Sequence, residues 1–120
     1  MKASVLHKFC TPPIFEEIDD PVCGPNSVVV ELKACGVCRS DHHAWSGNDP
    51  DVKLPHIMGH ELAGIIVETG SDIKKFSIGD PVTVPFILGC GLCSDCRTGN
   101  STICDRQETI GFTIRGGFAQ

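Results

Sequence analysis

The chain has 120 residues, a net charge of −5, and a soluble globular balance of 41% apolar and 21% charged residues. That suffices for one domain with a buried core and is short for an enzyme that also carries a dinucleotide. No Lys/Arg stripe is available for nucleic acid, no stretch is long and apolar enough to cross a bilayer, and the N-terminus lacks an apolar signal core. Eight cysteines without a secretory signal point to a reducing compartment, where thiols bind metal more often than they pair. A cytoplasmic protein is expected.

In chain order, Ala3 to Lys8 reads as an opening strand broken by Thr11-Pro12-Pro13, and Ile14 to Ile18 as a second short one. A turn-rich connection with Pro21 and Pro25 follows, since proline cannot donate to a ladder. Ser27 to Cys35 is the clearest strand, β-branched and then alternating apolar with charged. Cys38 to Trp45 reads as a short helical turn that Ser40 or Asp41 could cap. After a loop through Pro55, Glu61 to Glu68 reads as a buried strand, and Ile78-Gly79-Asp80-Pro81 turns into Val82-Thr83-Val84. Gly116 to Gln120 reads as the start of a further strand. Short strands with Gly/Pro turns and no sustained helical period predict a mainly β, barrel-like domain spanning residues 1–120. There is no room for a nucleotide-binding βαβ fold and no G-x-G-x-x-G.

Residues 90–104 carry the strongest motif: Cys90, Cys93, Cys96 and Cys104 in the spacing C-x2-C-x2-C-x7-C. Four thiolates complete a tetrahedral zinc shell with no open position, so this lobe should hold structure and do no chemistry. A bacterial iron–sulfur motif would need its fourth cysteine after three residues, followed by proline. Here the fourth comes after seven and is followed by Asp105. Zinc is the better reading, and filling the site would take the net charge from −5 to −7, since four thiolates and one divalent cation add −2.

Two further potential ligands stand apart: Cys38 and, in Gly59-His60-Glu61, His60. A thiolate and an imidazole are two of the three protein ligands that a catalytic zinc usually has, which leaves a position for water or substrate. Taken singly, each is more often a packed or surface residue.

Together the motifs resemble a known family. Gly59-His60-Glu61-Leu62-Ala63-Gly64, with Gly70 and Ile73, is similar to the signature of the zinc-containing alcohol dehydrogenases of the medium-chain dehydrogenase/reductase family. Gly36-Val37-Cys38-Arg39-Ser40-Asp41-His42-His43 resembles that family's first catalytic-zinc segment, and the Cys90–Cys104 run its structural-zinc lobe. The resemblance covers essentially the whole chain and implies a GroES-like, partly open β-barrel with short helical segments and the four-cysteine lobe on its side.

Carried over by position, the resemblance implies that Cys38 and His60 ligate a catalytic zinc, with Glu61 beside the metal or ligating it during exchange. Asp41 would accept the other ring N–H of His60, fixing its tautomer. Ser40 would hydrogen-bond the substrate oxygen, His43 would pass the released proton to solvent, and Arg39 would face the cofactor pyrophosphate. Phe86 would line the substrate pocket. Each has a plainer alternative: Ser40 and Asp41 as caps, His43 as a surface residue, Arg39 as an ion-pair partner, Phe86 as core. Cys35 with Cys38 spells C-x2-C without a redox motif's βαβ context, so Cys35 is expected to be an inert buried thiol pointing away from the site.

The implied activity is oxidation of small alcohols to aldehydes or ketones by hydride transfer to NAD or NADP, in a homodimer or homotetramer. The family's third catalytic-zinc cysteine and its Rossmann fold are not among these residues. The chain is therefore expected to be part of a longer one, to bind the structural zinc tightly and the catalytic metal weakly, and to have no turnover alone. The rival reading is a zinc-stabilised GroES-like binding or oligomerisation module, which needs none of Cys38, Ser40, Asp41, His43, His60 or Glu61. A zinc-ribbon reader of nucleic acid fails on charge.

Overall fold

The computed structural model describes residues 1–120. Three small antiparallel sheets enclose the core. In the first, β1 (Lys2–Leu6) lies between β2 (Ile14–Glu17) and β4 (His56–Ile57). In the second, β5 (Glu61–Thr69) is flanked by β3 (Val28–Gly36) and β6 (Pro81–Val84). The third is the pair β7 (Ile87–Leu88) and β8 (Glu108–Thr109), whose connection is the cysteine lobe with its short helix α2 (Ser94–Arg97) and a 3-10 turn at Ser101–Ile103.

β3 opens on Val28-Val29-Val30, whose branched side chains are stiff and fit a pleated surface. Its register against β5 slips between Val29 and Val30 and again between Leu32 and Ala34. Extra residues of this kind bend a strand and increase its twist, as a sheet curling toward a barrel requires. Pro81 is the first residue of β6, an edge strand, where a missing N–H costs nothing.

Helix α1 (Arg39–Ser46) leaves the end of β3 and packs Ala44 into a cluster with Leu6, Val52, Met58 and Phe112. A second cluster joins Ala3, Val5 and Ile57, so β1 contributes to both. Leu6 and Ile66 are fully buried, each contributing about 1.5–3 kcal/mol. Gly47 ends α1 in the left-handed region at φ 76°, its amide and that of Asn48 returning to the carbonyls of Ala44 and His43. The Trp45 indole donates to the Thr11 carbonyl at 2.7 Å, fastening the helix to the loop after β1.

The structure corrects several sequence expectations. Neither Ser40 nor Asp41 is the N-cap of α1. The cap is Cys38, whose sulfur accepts from the Ser40 amide at 3.3 Å, while Asp41 closes the box by accepting the Cys38 amide at 2.8 Å. β5 is not uniformly buried, because Glu61, Val67 and Glu68 are exposed. Gly116 to Gln120 form no strand. They run beside β1 through a single bridge, Ala3 to Ala119, with Ser4 N donating to Phe118 O and Gln120 N to Lys2 O. The two-residue strands β4, β7 and β8 carry too few side chains to show a period.

Candidate metal centre and active-site cleft

The first turn of α1 and the segment entering β5 meet at one point. Cys38 Sγ lies 3.4 Å from His60 Nε2 although 22 residues separate them. Around a tetrahedral zinc, with bonds of about 2.3 Å to sulfur and about 2.0 Å to nitrogen, those atoms would stand roughly 3.5 Å apart. The other ring nitrogen, His60 Nδ1, is buried without a hydrogen-bond partner and sits 3.5 Å from Asp41 Oδ1. The ring therefore turns Nε2 toward the sulfur and Nδ1 toward the carboxylate, as a metal-ligating imidazole backed by an acid does.

Asp41 is itself buried and committed on both oxygens: Oδ2 takes the Cys38 amide, and Oδ1 takes the Gly59 amide at 3.2 Å. Although its carboxylate lies close enough to Cys38 and His60 to count as a third donor, those bonds make it a positioning group. Gly59 has φ 96°, and a Cβ there would stand 2.6 Å from the Phe118 ring and 2.8 Å from Cys35 Sγ. Its carbonyl accepts the Gly117 amide at 2.8 Å, so the residue before His60 is held on both sides. Only glycine fits this crowded, left-handed backbone.

The pair opens onto a cavity of about 480 Å³ lined by Cys38, Ser40, His60, Glu61, Val84, Phe86 and Phe112. A second cavity of about 230 Å³ adjoins it, sharing Ser40, Phe86 and Phe112 and adding His43, Asp49, Asp51 and Thr109. The structure thus brings Cys38, Ser40, His60, Glu61 and Phe86 to one cleft, with Asp41 buried behind the pair, and places His43 one compartment away. Glu61 is paired with Gly36 across the sheet and its carboxylate lies over that glycine, outside the Cys38–Asp41–His60 cluster. Arg39, exposed at the start of α1, lines neither cavity. Phe112 was missed by sequence reasoning. Its ring stands 5.4 Å from that of His60 and the Phe86 ring 5.9 Å from it, so both aromatics pack near the imidazole. Its neighbours in sequence offer no strand or helix period to flag it.

Cys35 is outside this cluster. Its sulfur packs against Gly59, and it lines a separate cavity of about 350 Å³ with Phe15, Leu32 and Phe118. Burial raises its pKa above the ordinary 9.0, and the charges of Asp41 and Glu61 add to this against a backbone hydrogen bond at Glu61.

In the lobe the donor atoms of Cys90, Cys93, Cys96 and Cys104 lie within 4.8 Å of one another. The sulfurs of Cys93 and Cys104 stand 3.8 Å apart, the separation of roughly 3.8 Å that tetrahedral Zn–S bonds of about 2.3 Å impose. Backbone N–H groups of Leu92 and then Cys93 hold the Cys90 thiol at about 6, while desolvation pushes Cys96 up to about 12. The four thiols titrate as one coupled set, and filling the lobe with a metal would release their remaining protons. The residues fit zinc.

Residues 24–120 match the alcohol dehydrogenase GroES-like domain family. An alcohol dehydrogenase of Geobacillus stearothermophilus is 40% identical over 122 residues, covering 100% of this chain and 36% of that protein. An NAD-dependent alcohol dehydrogenase of Sulfolobus acidocaldarius is 34% identical over 126 residues, covering 100% of the chain and 37% of the relative. The cobalt- and zinc-bound thermostable alcohol dehydrogenase of Pyrobaculum aerophilum superposes with a TM-score of 0.85 at 34% identity, over 99% of this chain and 37% of that one. The chain thus spans little more than a third of the length of these relatives. This chain and the Pyrobaculum aerophilum one share a fold, and this one belongs to the alcohol dehydrogenase GroES-like domain family.

Proposed function

We propose that this chain forms the zinc-binding, substrate-facing part of a longer alcohol dehydrogenase, which oxidises small alcohols to aldehydes or ketones with NAD or NADP as hydride acceptor. The observation that carries the reading is the approach of Cys38 Sγ to His60 Nε2 at the floor of the larger cavity. A binding or oligomerisation module gives no reason for a thiol, an imidazole and a buried carboxylate to converge.

Cys38 and His60 would hold the catalytic zinc, with Glu61 beside it, and Cys90, Cys93, Cys96 and Cys104 the structural one. Zinc in the first site supplies stabilisation of negative charge on the alcohol oxygen, of the kind that brings bound water from about 15.7 to about 7. Asp41 orients His60 and fixes its tautomer. Ser40, on the wall shared by both cavities, would hydrogen-bond the alcohol oxygen and relay its proton, accepting it while giving up its own, and His43 in the outer compartment would release the proton to solvent. A nicotinamide cofactor, held by the rest of the full-length enzyme, would supply the acceptor for the hydride that leaves the alcohol carbon. Phe86 and Phe112 exclude water and hold the carbon chain, and Arg39 is free on the surface to meet a cofactor pyrophosphate. No helix is long and apolar enough to cross a membrane. The resemblance implies a homodimer or homotetramer, the unpaired cysteines suit a cytoplasmic protein, and the net charge of −5 suits one acting without nucleic acid.

The test is NAD- or NADP-dependent alcohol oxidation by the full-length, zinc-loaded enzyme. S40A and H43Q should each lower kcat by about 10² or more if they carry the proton, with cofactor KM little changed. Full activity in C38S would overturn the reading.

A further inference from the structure

We propose that Arg106 is the counter-charge of the cysteine lobe, a positioning residue that binds zinc more tightly into it and slows its loss. The proposal rests on the lobe holding zinc. Two contacts carry it. The Arg106 guanidinium donates through Nη2 to Cys90 Sγ at 3.3 Å, and the Arg106 amide donates to Cys104 Sγ at 3.3 Å. One residue thereby touches both the first and the last sulfur of the set, 14 positions apart in sequence.

The charge arithmetic gives this contact its meaning. Four thiolates around one divalent cation leave −2 on a lobe whose other two charges, Asp95 and Arg97, cancel, in a chain already at −5. Apart from the contact between the Cys93 and Cys104 thiols, the other donors to the sulfurs are backbone amides, among them Leu92 to Cys90 at 3.5 Å, Cys90 to Cys104 at 3.4 Å, and Cys96 to Cys93 at 3.5 Å. Those offer partial charge. Arg106 brings a whole one, on a planar fork that cannot deprotonate. Arg97, the lobe's other arginine, ends α2 and makes none of these contacts.

A cation on a thiolate lowers its electron density, so the sulfur becomes a poorer nucleophile toward oxidants and alkylating agents and a poorer base toward protons. Both reactions expel zinc from a thiolate shell. The effect reaches the cleft, because the lobe hangs between β7 and β8, and Ile110 after β8 donates to the carbonyl of Phe86, a cavity wall. A lobe that keeps its metal keeps that wall in place.

The experiment is zinc release from the zinc-loaded protein, followed with a metallochromic chelator during thiol alkylation and by chelator competition at equilibrium. Zinc content is measured first. R106M should release zinc about tenfold faster and bind it about tenfold more weakly, the lower end for an outer partner of a metal ligand, since the arginine is exposed. R106K should fall between, and R97M should behave as wild type. Should R106M fail to fold, the unmodified protein still decides the matter: its release should accelerate as salt screens the exposed guanidinium. Wild-type release in R106M, equal acceleration in R97M, or salt-independent release would each overturn the role of Arg106. A lobe that purifies without zinc would overturn the zinc reading as well.

Discussion

Asp41 accepts the amide of Gly59 on Oδ1 at 3.2 Å, and through that bond the first turn of α1 is tied to the residue preceding His60. The same carboxylate takes the Cys38 amide on Oδ2. One buried side chain therefore sets the positions of both proposed ligands of the catalytic metal. D41A should lose the capping bond, about 1 kcal/mol, and strand a buried amide, about 1–3 kcal/mol more. Chemical denaturation should show a loss of about 2–4 kcal/mol. D41N, which keeps the shape, should instead weaken zinc binding at Cys38 and His60 by about 10–100-fold in chelator competition.

Gly59 carries a second prediction. Its φ of 96° and the crowding of its absent Cβ by Phe118 and Cys35 make alanine costly twice over. Strained backbone adds about 1–3 kcal/mol and overpacking a similar amount. G59A should fall in denaturant midpoint accordingly, and metal binding at His60 should weaken with it. An unchanged midpoint would contradict the packing described.

Cys35 and Cys10 should differ in reactivity. Burial, with Asp41 and Glu61 adding to it, holds the Cys35 thiol protonated above its ordinary 9.0, whereas Cys10 is exposed. A raised pKa means that the neutral thiol's contribution to stability is complete below 9.0 and is lost as pH rises through the folded value. Iodoacetamide at pH about 8 should therefore label Cys10 well before Cys35, read by peptide mass mapping. Equal rates would contradict the burial argument.

Removing the lobe metal should destabilise the protein as a whole. At a thousandfold excess of free zinc over Kd, binding contributes about 4 kcal/mol. Chelation, or the C104S substitution at the buried ligand, should lower the thermal midpoint clearly. An identical midpoint with and without chelator would exclude a structural role.

Much of this molecule was legible in its sequence, for identifiable reasons. Val28-Val29-Val30 announced β3 because branched residues in a row have few alternatives, and the lobe was legible because its four cysteines fall within fifteen residues. Other features depend on contacts between distant segments. The Cys38 sulfur as helix cap, the bond from Gly59 to Asp41, and the ring of Phe112 beside His60 arise only when β3, α1 and the entry to β5 pack together. Gly116 to Gln120 looked like a strand because its residues suit one, yet pairing depends on a neighbour, and β1 offers them only a single bridge. Arg106 gave no signal at all, since nothing in its sequence position distinguishes it from Arg97 until the sulfurs are in place.

Zinc stoichiometry in the full-length enzyme tests the central claim most directly, measured for wild type, C38S, H60N and the double variant. If the sulfur and the ring share one ion, each single substitution removes one equivalent and the double substitution removes that same one and no more. Retention of both equivalents in C38S or H60N, or a loss of two in the double variant, would contradict it.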